Sequence, residues 1–379
     1  MSLTDRSDPT DPTPIGGPAM VVADILRFVE TLAPPRLAMP GDPIGLQIGD
    51  PSASVTNIAT AVDPTRSVID RAAALGAELL ICHHPLIYKP LAGITASDEK
   101  GDLVLRAVRA GLAVYVAHTN FDSAPGGTND TLAAILGLSD TRLLSEVTTE
   151  PYFKVVVFVP EEALEPVRAA MCGAGGFIGN YSDCSFRTRG IGTFKPLEGA
   201  RPYLGETGKL EQAEEWRLET LTPESALSEV IEAMLQAHPY EEVAYDVYPL
   251  RNEPRKSGIG LVGRLGKPET LGDFRRRVER ALKCPGFTRM TGNPRKKVAT
   301  AAVCAGGGGS LVSDAARRGA DVYITGDLSH HAILTAQWHG LAVIDAGHFE
   351  TEKPGVEALT EVLAREYSEQ GIAARYVDR

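Results

Sequence analysis

Two adjacent histidines, His83 and His84, close an apolar run over residues 77–82 and are followed by Pro85. The run reads as a buried strand, and the proline blocks its continuation. Open α/β sheets keep their ligand crevice at the carboxyl ends of strands, so the pair is predicted to stand where ligands bind. Side chains alternate in direction along a strand. At its broken end, two imidazoles can instead diverge toward targets roughly 3.5–4 Å apart, the spacing of a two-metal centre. By itself the pair fits equally one buried structural histidine beside an exposed one.

The other histidines shift that balance. Of eight in the chain, five (His83, His84, His118, His331 and His348) fall at or just after predicted strand ends. Asp122, Asp327, Glu350 and Glu352 fall at the same edge. Imidazole and carboxylate without thiolate suit zinc, iron or manganese. His348 and Glu352 lie four apart across a strand-to-helix junction and share a face if a helix starts near His348. Acids gathered by a helix dipole are the alternative reading of that pair. His118 and Asp122 have the same spacing around an expected loop over residues 120–127, where helical logic does not apply.

The elements that must carry these groups follow from hydrophobic periodicity. Helical spacing over residues 21–32 ends at Pro34-Pro35. A turn-rich connector, residues 41–46, precedes strands at 56–62, 77–83 and 112–118, with helices at 66–75, 101–110 and 128–136. The same alternation returns at the other end of the chain. Strands at 298–304, 320–325 and 341–346 are followed by helices at 310–318, 329–338 and 351–367. Strands alternating with helices of about ten residues imply parallel sheets covered by helices. We therefore expect an α/β fold of two pseudo-equivalent parallel-sheet halves forming one core, residues 19–148 and 252–379.

Between them the pattern changes. Strands at 152–160, 183–194, 216–221 and 243–250 and helices at 161–172 and 222–237 give the order βαββαβ, a ferredoxin-like split βαβ. Thr222 is a candidate N-cap, with Pro223 at the first helical position. Residues 149–251 are thus expected to form an inserted α+β domain, leaving by a basic, glycine-containing linker at 251–258. His238-Pro239-Tyr240-Glu241-Glu242 reads as a turn entering its last strand. Gly306 to Gly309 fit either a phosphate cradle or a tight turn passing close to a cavity, without the lysine of a P-loop.

Composition bounds the function. The chain has 379 residues, 43% hydrophobic and 23% charged, with formal charge −11. That balance argues against nonspecific nucleic-acid binding. The five cysteines are scattered and never in CxxC spacing, which points to a reducing compartment and no thiolate zinc site. No apolar stretch reaches membrane-spanning length. Residues 1–18 are polar, lack the apolar core of a signal peptide and read as a disordered tail. A cytoplasmic location is expected.

As a set, His83-His84-Pro85, His118-Thr-Asn-Phe-Asp122, Thr325-Gly-Asp327 and Gly347-His348-Phe-Glu-Thr-Glu352 resemble the motifs of the dinuclear metal centre hexameric proteins, known as GTP cyclohydrolase 1 type 2 homologues. The resemblance runs from Val21 to about Val377. It implies a toroidal hexamer with two divalent metal ions per subunit, held by His83, His84, Asp122, His348 and Glu352, with Glu352 bridging. It implies that His118 and His331 line the same cavity. Residues 149–251 resemble the insert of longer members, similar to PII signalling and divalent-cation-tolerance proteins; His238-Pro239-Tyr240-Glu241-Glu242 matches that insert, which implies a ligand-sensing or gating lid as the alternative to a plain turn. One departure stands out: Asp42-Pro43-Ile44 precedes Gly45-Leu46, where the family usually has Asp-Asn.

The expected activity is a metal-dependent hydrolase. Metal-bound water, its pKa drawn toward about 7, supplies hydroxide, which on the family's pattern attacks purine C8 of a nucleotide-like, GTP-like substrate. His118 or His331 would shuttle protons. The alternative is a non-enzymatic metal-binding or regulatory protein whose insert senses a ligand or gates access. No guanine-specific motif is present.

Overall fold

The computed structural model describes residues 20–178 and 181–379; the tail expected over residues 1–18 lies outside them. The chain forms two compact units: one runs to Ser145 and resumes over Gly258–Arg379, and the other is Glu146–Ser257.

The first unit holds two mixed sheets. One has the strand order Gly45–Ile48, Ala113–Val116, Leu79–Cys82, Asn57–Ala61, Ala373–Tyr376. Its last four strands are parallel, and Gly45–Ile48 runs antiparallel on the edge. The other has the order Arg289–Thr291, Ala342–Asp345, Val322–Thr325, Lys297–Val303, Arg255–Thr270, Leu138–Glu150. Here the three central strands are parallel, with antiparallel neighbours outside them.

The apolar runs become buried strands because both faces are covered. Leu79 and Ile81 pack on one face with Val22, Ile25, Leu359 and Leu363. Leu80 and Cys82 pack on the other with Val68, Ile69, Leu103 and Val104. Alternation therefore persists inside a strand with no polar face. In the second sheet, Ala301 and Val303 meet Leu132, Phe274 and Val278, while Ala302 and Cys304 meet Val312, Ala315 and Ala332. Helix starts are locally specified: Thr65, Asp98, Thr270 and Ser329 each accept a backbone N–H three residues on.

Leu80 is fully buried in the strand that leads into His83. Leu80→Ala should cost about 2–5 kcal/mol, as leucine truncation in a packed core does, and urea unfolding measures it. A loss well under 1 kcal/mol would mean that this layer collapses without a cavity.

Several elements differ from expectation. The sheets do not part at the two sequence halves. The C-terminal strand Ala373–Tyr376 joins the first sheet and Leu138–Glu150 joins the second, so each borrows an edge strand from across the insert. Residues 255–258, expected as linker, begin the strand Arg255–Thr270. Four glycines and Pro268 interrupt its period, and Gly260, at φ +72°, would place a Cβ 2.8 Å from the Val303 carbonyl oxygen. The connector at 41–46 ends in the edge strand Gly45–Ile48.

The second unit is a four-stranded antiparallel sheet in the order Tyr245–Pro249, Tyr152–Val159, Glu211–Pro223, Ser185–Phe194. Helices Leu164–Gly175 and Leu227–Ala237 share one core with it, built on Val155, Val157, Val167, Met171, Val230 and Met234. The connectivity is that of a split βαβ. Thr222 is not an N-cap. It pairs with Phe153 in the ladder, Pro223 pairs with Tyr152, and a short 3-10 turn, Glu224–Ala226, precedes the helix.

Candidate metal centre

Four imidazoles converge in the first unit, each anchored through Nδ1. Beyond the strand end the ladder continues for two residues: His83 N donates to Ala61 O at 3.0 Å and His84 N to Val62 O at 2.9 Å. His83 Nδ1 lies 2.9 Å from the Ala117 carbonyl oxygen. His84 Nδ1 lies 2.8 Å from Asp63 Oδ1, His118 Nδ1 2.8 Å from Asp42 Oδ1, and His348 Nδ1 2.8 Å from Asp327 Oδ2. An acceptor at each Nδ1 fixes the tautomer with Nε2 free, the arrangement that metal-ligating histidines use.

The free nitrogens meet around Glu352. Its Oε1 is 3.5 Å from His83 Nε2 and 3.0 Å from His348 Nε2, and its Oε2 is 3.2 Å from His84 Nε2. His84 Nε2 and His348 Nε2 are 3.2 Å apart. Asp122 Oδ1 also lies 3.5 Å from His83 Nε2. Two groups have ligand atoms all within 4.8 Å of one another: His83, His84 and His118, and His84, His348 and Glu352. His83 Nε2 and Glu352 Oε2 are buried without a hydrogen-bond partner. Orphaned buried polar atoms are costly, and a cation among them supplies what both lack. The donor set fits zinc, iron or manganese.

Electrostatics in the metal-free protein agree. Burial raises the carboxyl pKa of Glu352, but His83, His348 and His84 outweigh it and hold it well below the usual range. Burial lowers that of His84, but Asp63 and Glu352 push it up to about 10. His348 is raised to about 9, chiefly by Glu352. Burial pushes the Asp122 carboxyl up. The cluster holds protons where a cation would otherwise sit.

A family model described as Duf34/NIF3 (NGG1p interacting factor 3) matches residues 20–377. The chain belongs to the Duf34/NIF3 family. A GTP cyclohydrolase 1 type 2 homologue of Bacillus subtilis is 44% identical over 340 residues, 89% of this chain and 91% of that protein. One from Mycobacterium tuberculosis is 41% identical over 347 residues, 90% and 91% of the respective chains. The crystal structure of a Bacillus cereus protein related to NIF3 superposes with TM-score 0.87 at 41% identity, covering 96% of this chain and 97% of that one.

Of the residues singled out in this Duf34/NIF3 chain, His83, His84, His118, Asp122, His348 and Glu352 come together. His331 does not join them. It is exposed on the helix His330–Trp338, its ring 5.9 Å from that of His330. Asp122 sits on a one-turn helix, Thr119–Ser123, and not on a loop. That turn is held by Asn120, which accepts from His118 N at 2.9 Å and donates to Ala33 O at 2.7 Å. Thr128 Oγ1 donates to Asp122 Oδ1, and Asn129 ties the Asp122 carbonyl to the Ala305 amide. Glu350 turns away toward Arg379, 3.3 Å distant.

Sequence reasoning misses the orienting role of Asp42 and Asp63. Each precedes a proline in a turn, a generic pattern, and their partners lie 76 and 21 residues away.

The glycine run is a tight turn against the centre. Gly306 N donates to Thr351 Oγ1 and Gly308 N to Thr325 Oγ1, so two of its amides are engaged within the protein. A Cβ at Gly306, φ +68°, would stand 2.2 Å from Glu352 Oε1, whereas one at Gly307 meets nothing closer than 3.6 Å. Gly306→Ala should weaken metal binding by roughly 10–100-fold, the range for disturbing a ligand's support. Gly307→Ala should leave it near normal. Metal titration of both variants decides, and equal affinities would show that Glu352 is free to give way.

Proposed function

We propose that this chain is a dinuclear metal-dependent hydrolase acting on a small, nucleotide-like substrate. The observation that carries the reading is the group His84, His348 and Glu352, joined to a second carboxylate through His83, whose Nε2 lies 3.5 Å from both Glu352 Oε1 and Asp122 Oδ1. His83, His84, Asp122, His348 and Glu352 would hold two divalent ions. When bound, such ions lower the pKa of a water molecule and polarise a substrate oxygen. The chain's own contribution is orientation and proton transfer. Asp63, Asp327 and the Ala117 carbonyl keep three Nε2 atoms turned inward. His118, aimed by Asp42 and 5.2 Å ring to ring from His83, is placed to accept or return a proton at Nε2. His331, exposed on its helix, is not assigned that role.

The nucleotide preference rests on the naming of the Bacillus subtilis and Mycobacterium tuberculosis relatives as GTP cyclohydrolase 1 type 2 homologues. No helix among the described residues is long and apolar enough to cross a membrane, and five free thiols accord with a cytoplasmic setting. We further propose a homohexamer. That assembly rests on the motifs shared with the dinuclear metal centre hexameric proteins, His83-His84-Pro85 and Gly347-His348-Phe-Glu-Thr-Glu352 among them. The insert's split-βαβ order supports the PII-like reading.

Protein loaded in turn with zinc, iron or manganese and offered GTP, other nucleotides and simple phosphoesters tests the reading. Turnover lost in His118→Gln with metal retained is the expected result. Full occupancy by two ions with no turnover would favour the second reading, a metal-holding regulatory protein. The observation on that side is a separate cavity in the insert. Light scattering tests the hexamer, and a monomeric mass would refute it.

A further inference from the structure

The insert contains a cavity of about 580 Å³, within the range of small-molecule sites. It lies wholly within Glu146–Ser257 and is distinct from the metal centre. Its wall is largely apolar and aromatic, with Phe158, Phe194, Tyr203 and Tyr240. One acid is set into that wall. Glu215 is only 9% exposed, and among the described residues its side chain has a single hydrogen bond, from the Tyr240 hydroxyl at 2.9 Å, and no cation beside it. A buried carboxylate without a countercharge is expensive, so its retention calls for a partner.

The surroundings are built to keep that acid in place. Glu215 Oε2 stands where a Cβ at position 192 would be, 2.2 Å away, so Gly192 leaves the space it occupies. His238 locks the neighbouring turn: its Nε2 donates to Phe158 O at 3.0 Å, and its Nδ1 accepts Tyr240 N–H at 3.1 Å. Burial holds the His238 imidazole below its ordinary pKa, consistent with this neutral, doubly bonded form. The histidine of the His238-Pro-Tyr-Glu-Glu run thereby fixes Tyr240, whose ring lies 5.7 Å from Tyr203. Glu241 and Glu242 add charge at the wall, giving three carboxylates against the single exposed ammonium of Lys195.

We propose that this cavity is a second ligand site, one that takes a small organic ammonium ion with an apolar body. The ammonium group sits against Glu215 and the tyrosine rings, whose faces attract cations. The apolar body fills the space lined by Phe158 and Phe194.

The test uses the full chain and two probes of like size and opposite charge, 2-phenylethylammonium and 3-phenylpropanoate, followed by calorimetry and ligand-observed NMR. The expected result is sub-millimolar binding of the ammonium probe and none of the carboxylate. Glu215→Gln, which keeps an acceptor for Tyr240, should weaken the ammonium probe at least about 10-fold, as loss of a charged partner does. Gly192→Ala, which pushes Glu215 aside, should weaken it in the same direction. Absence of ammonium binding, equal binding of the two probes, or unchanged affinity in folded Glu215→Gln would each overturn the proposal. If circular dichroism shows that Glu215→Gln does not fold, Gly192→Ala and the charge comparison on the unaltered protein decide the matter.

Discussion

Glu352→Gln is expected to lower metal affinity by more than about 100-fold, beyond the range typical of outer-shell changes. Among the described residues no other carboxylate touches three of the histidines: its two oxygens lie 3.0–3.5 Å from His83, His84 and His348 Nε2. Glutamine preserves the shape but replaces an anion with two acceptor oxygens by a neutral amide with one oxygen and one donor end. His84→Ala should be nearly as damaging, because His84 belongs to both ligand groups. Glu350→Gln is the control. It lies two residues earlier on the same helix, yet its carboxylate pairs with Arg379, so metal binding should be unchanged. Elemental analysis and calorimetric titration on folded variants make the measurement. Full occupancy in Glu352→Gln, or equal losses in Glu350→Gln and Glu352→Gln, would remove the centre described above.

The contrast between those two glutamates marks where sequence reading succeeds and where it stops. Glu352 is legible because four-residue spacing from His348 is helical geometry, and the helix does begin at His348. Glu350 falls at the same edge for the same reason, but which way it turns depends on Arg379 at the far end of the chain. The buried strands are legible from apolar runs such as residues 77–82, since a strand covered on both faces must be apolar throughout. Leu138–Glu150 is not, because an edge strand with a single buried residue, Leu144, carries no apolar period. The one-turn helix around Asp122 gives no signal because five residues show no periodicity. Counting positions from a strand end misplaces His331. Ser329 caps the helix there, and the turn leaves His331 exposed.

Metal uptake at pH 7 should release roughly two protons from His84 and His348 together. In the metal-free protein these imidazoles are raised to about 10 and about 9, so both are charged at neutral pH and must lose a proton before Nε2 can coordinate. The same shifts fix the sign of the stability profile. A histidine with a raised folded pKa contributes fully below its unfolded value, about 6.5, and the contribution is lost as pH rises through about 9 for His348 and about 10 for His84. Glu352 acts on the acid side. Its lowered pKa contributes above the unfolded carboxyl value, about 4.3, and the contribution is lost as pH falls through the folded value. Metal-free protein should therefore lose thermal stability between pH 7 and 10. Loaded protein should not, because its imidazoles have already given up those protons. Calorimetry in buffers of different ionisation enthalpy counts the protons, and thermal melts across that window read the divergence. Glu352→Gln supplies the decisive comparison: with the carboxylate gone, His84 and His348 should titrate nearer neutrality and the alkaline loss should shrink. A metal-free melting temperature flat from pH 7 to 10, with less than one proton released on loading, would show that these imidazoles are neutral before metal arrives and that Glu352 does not hold their charge.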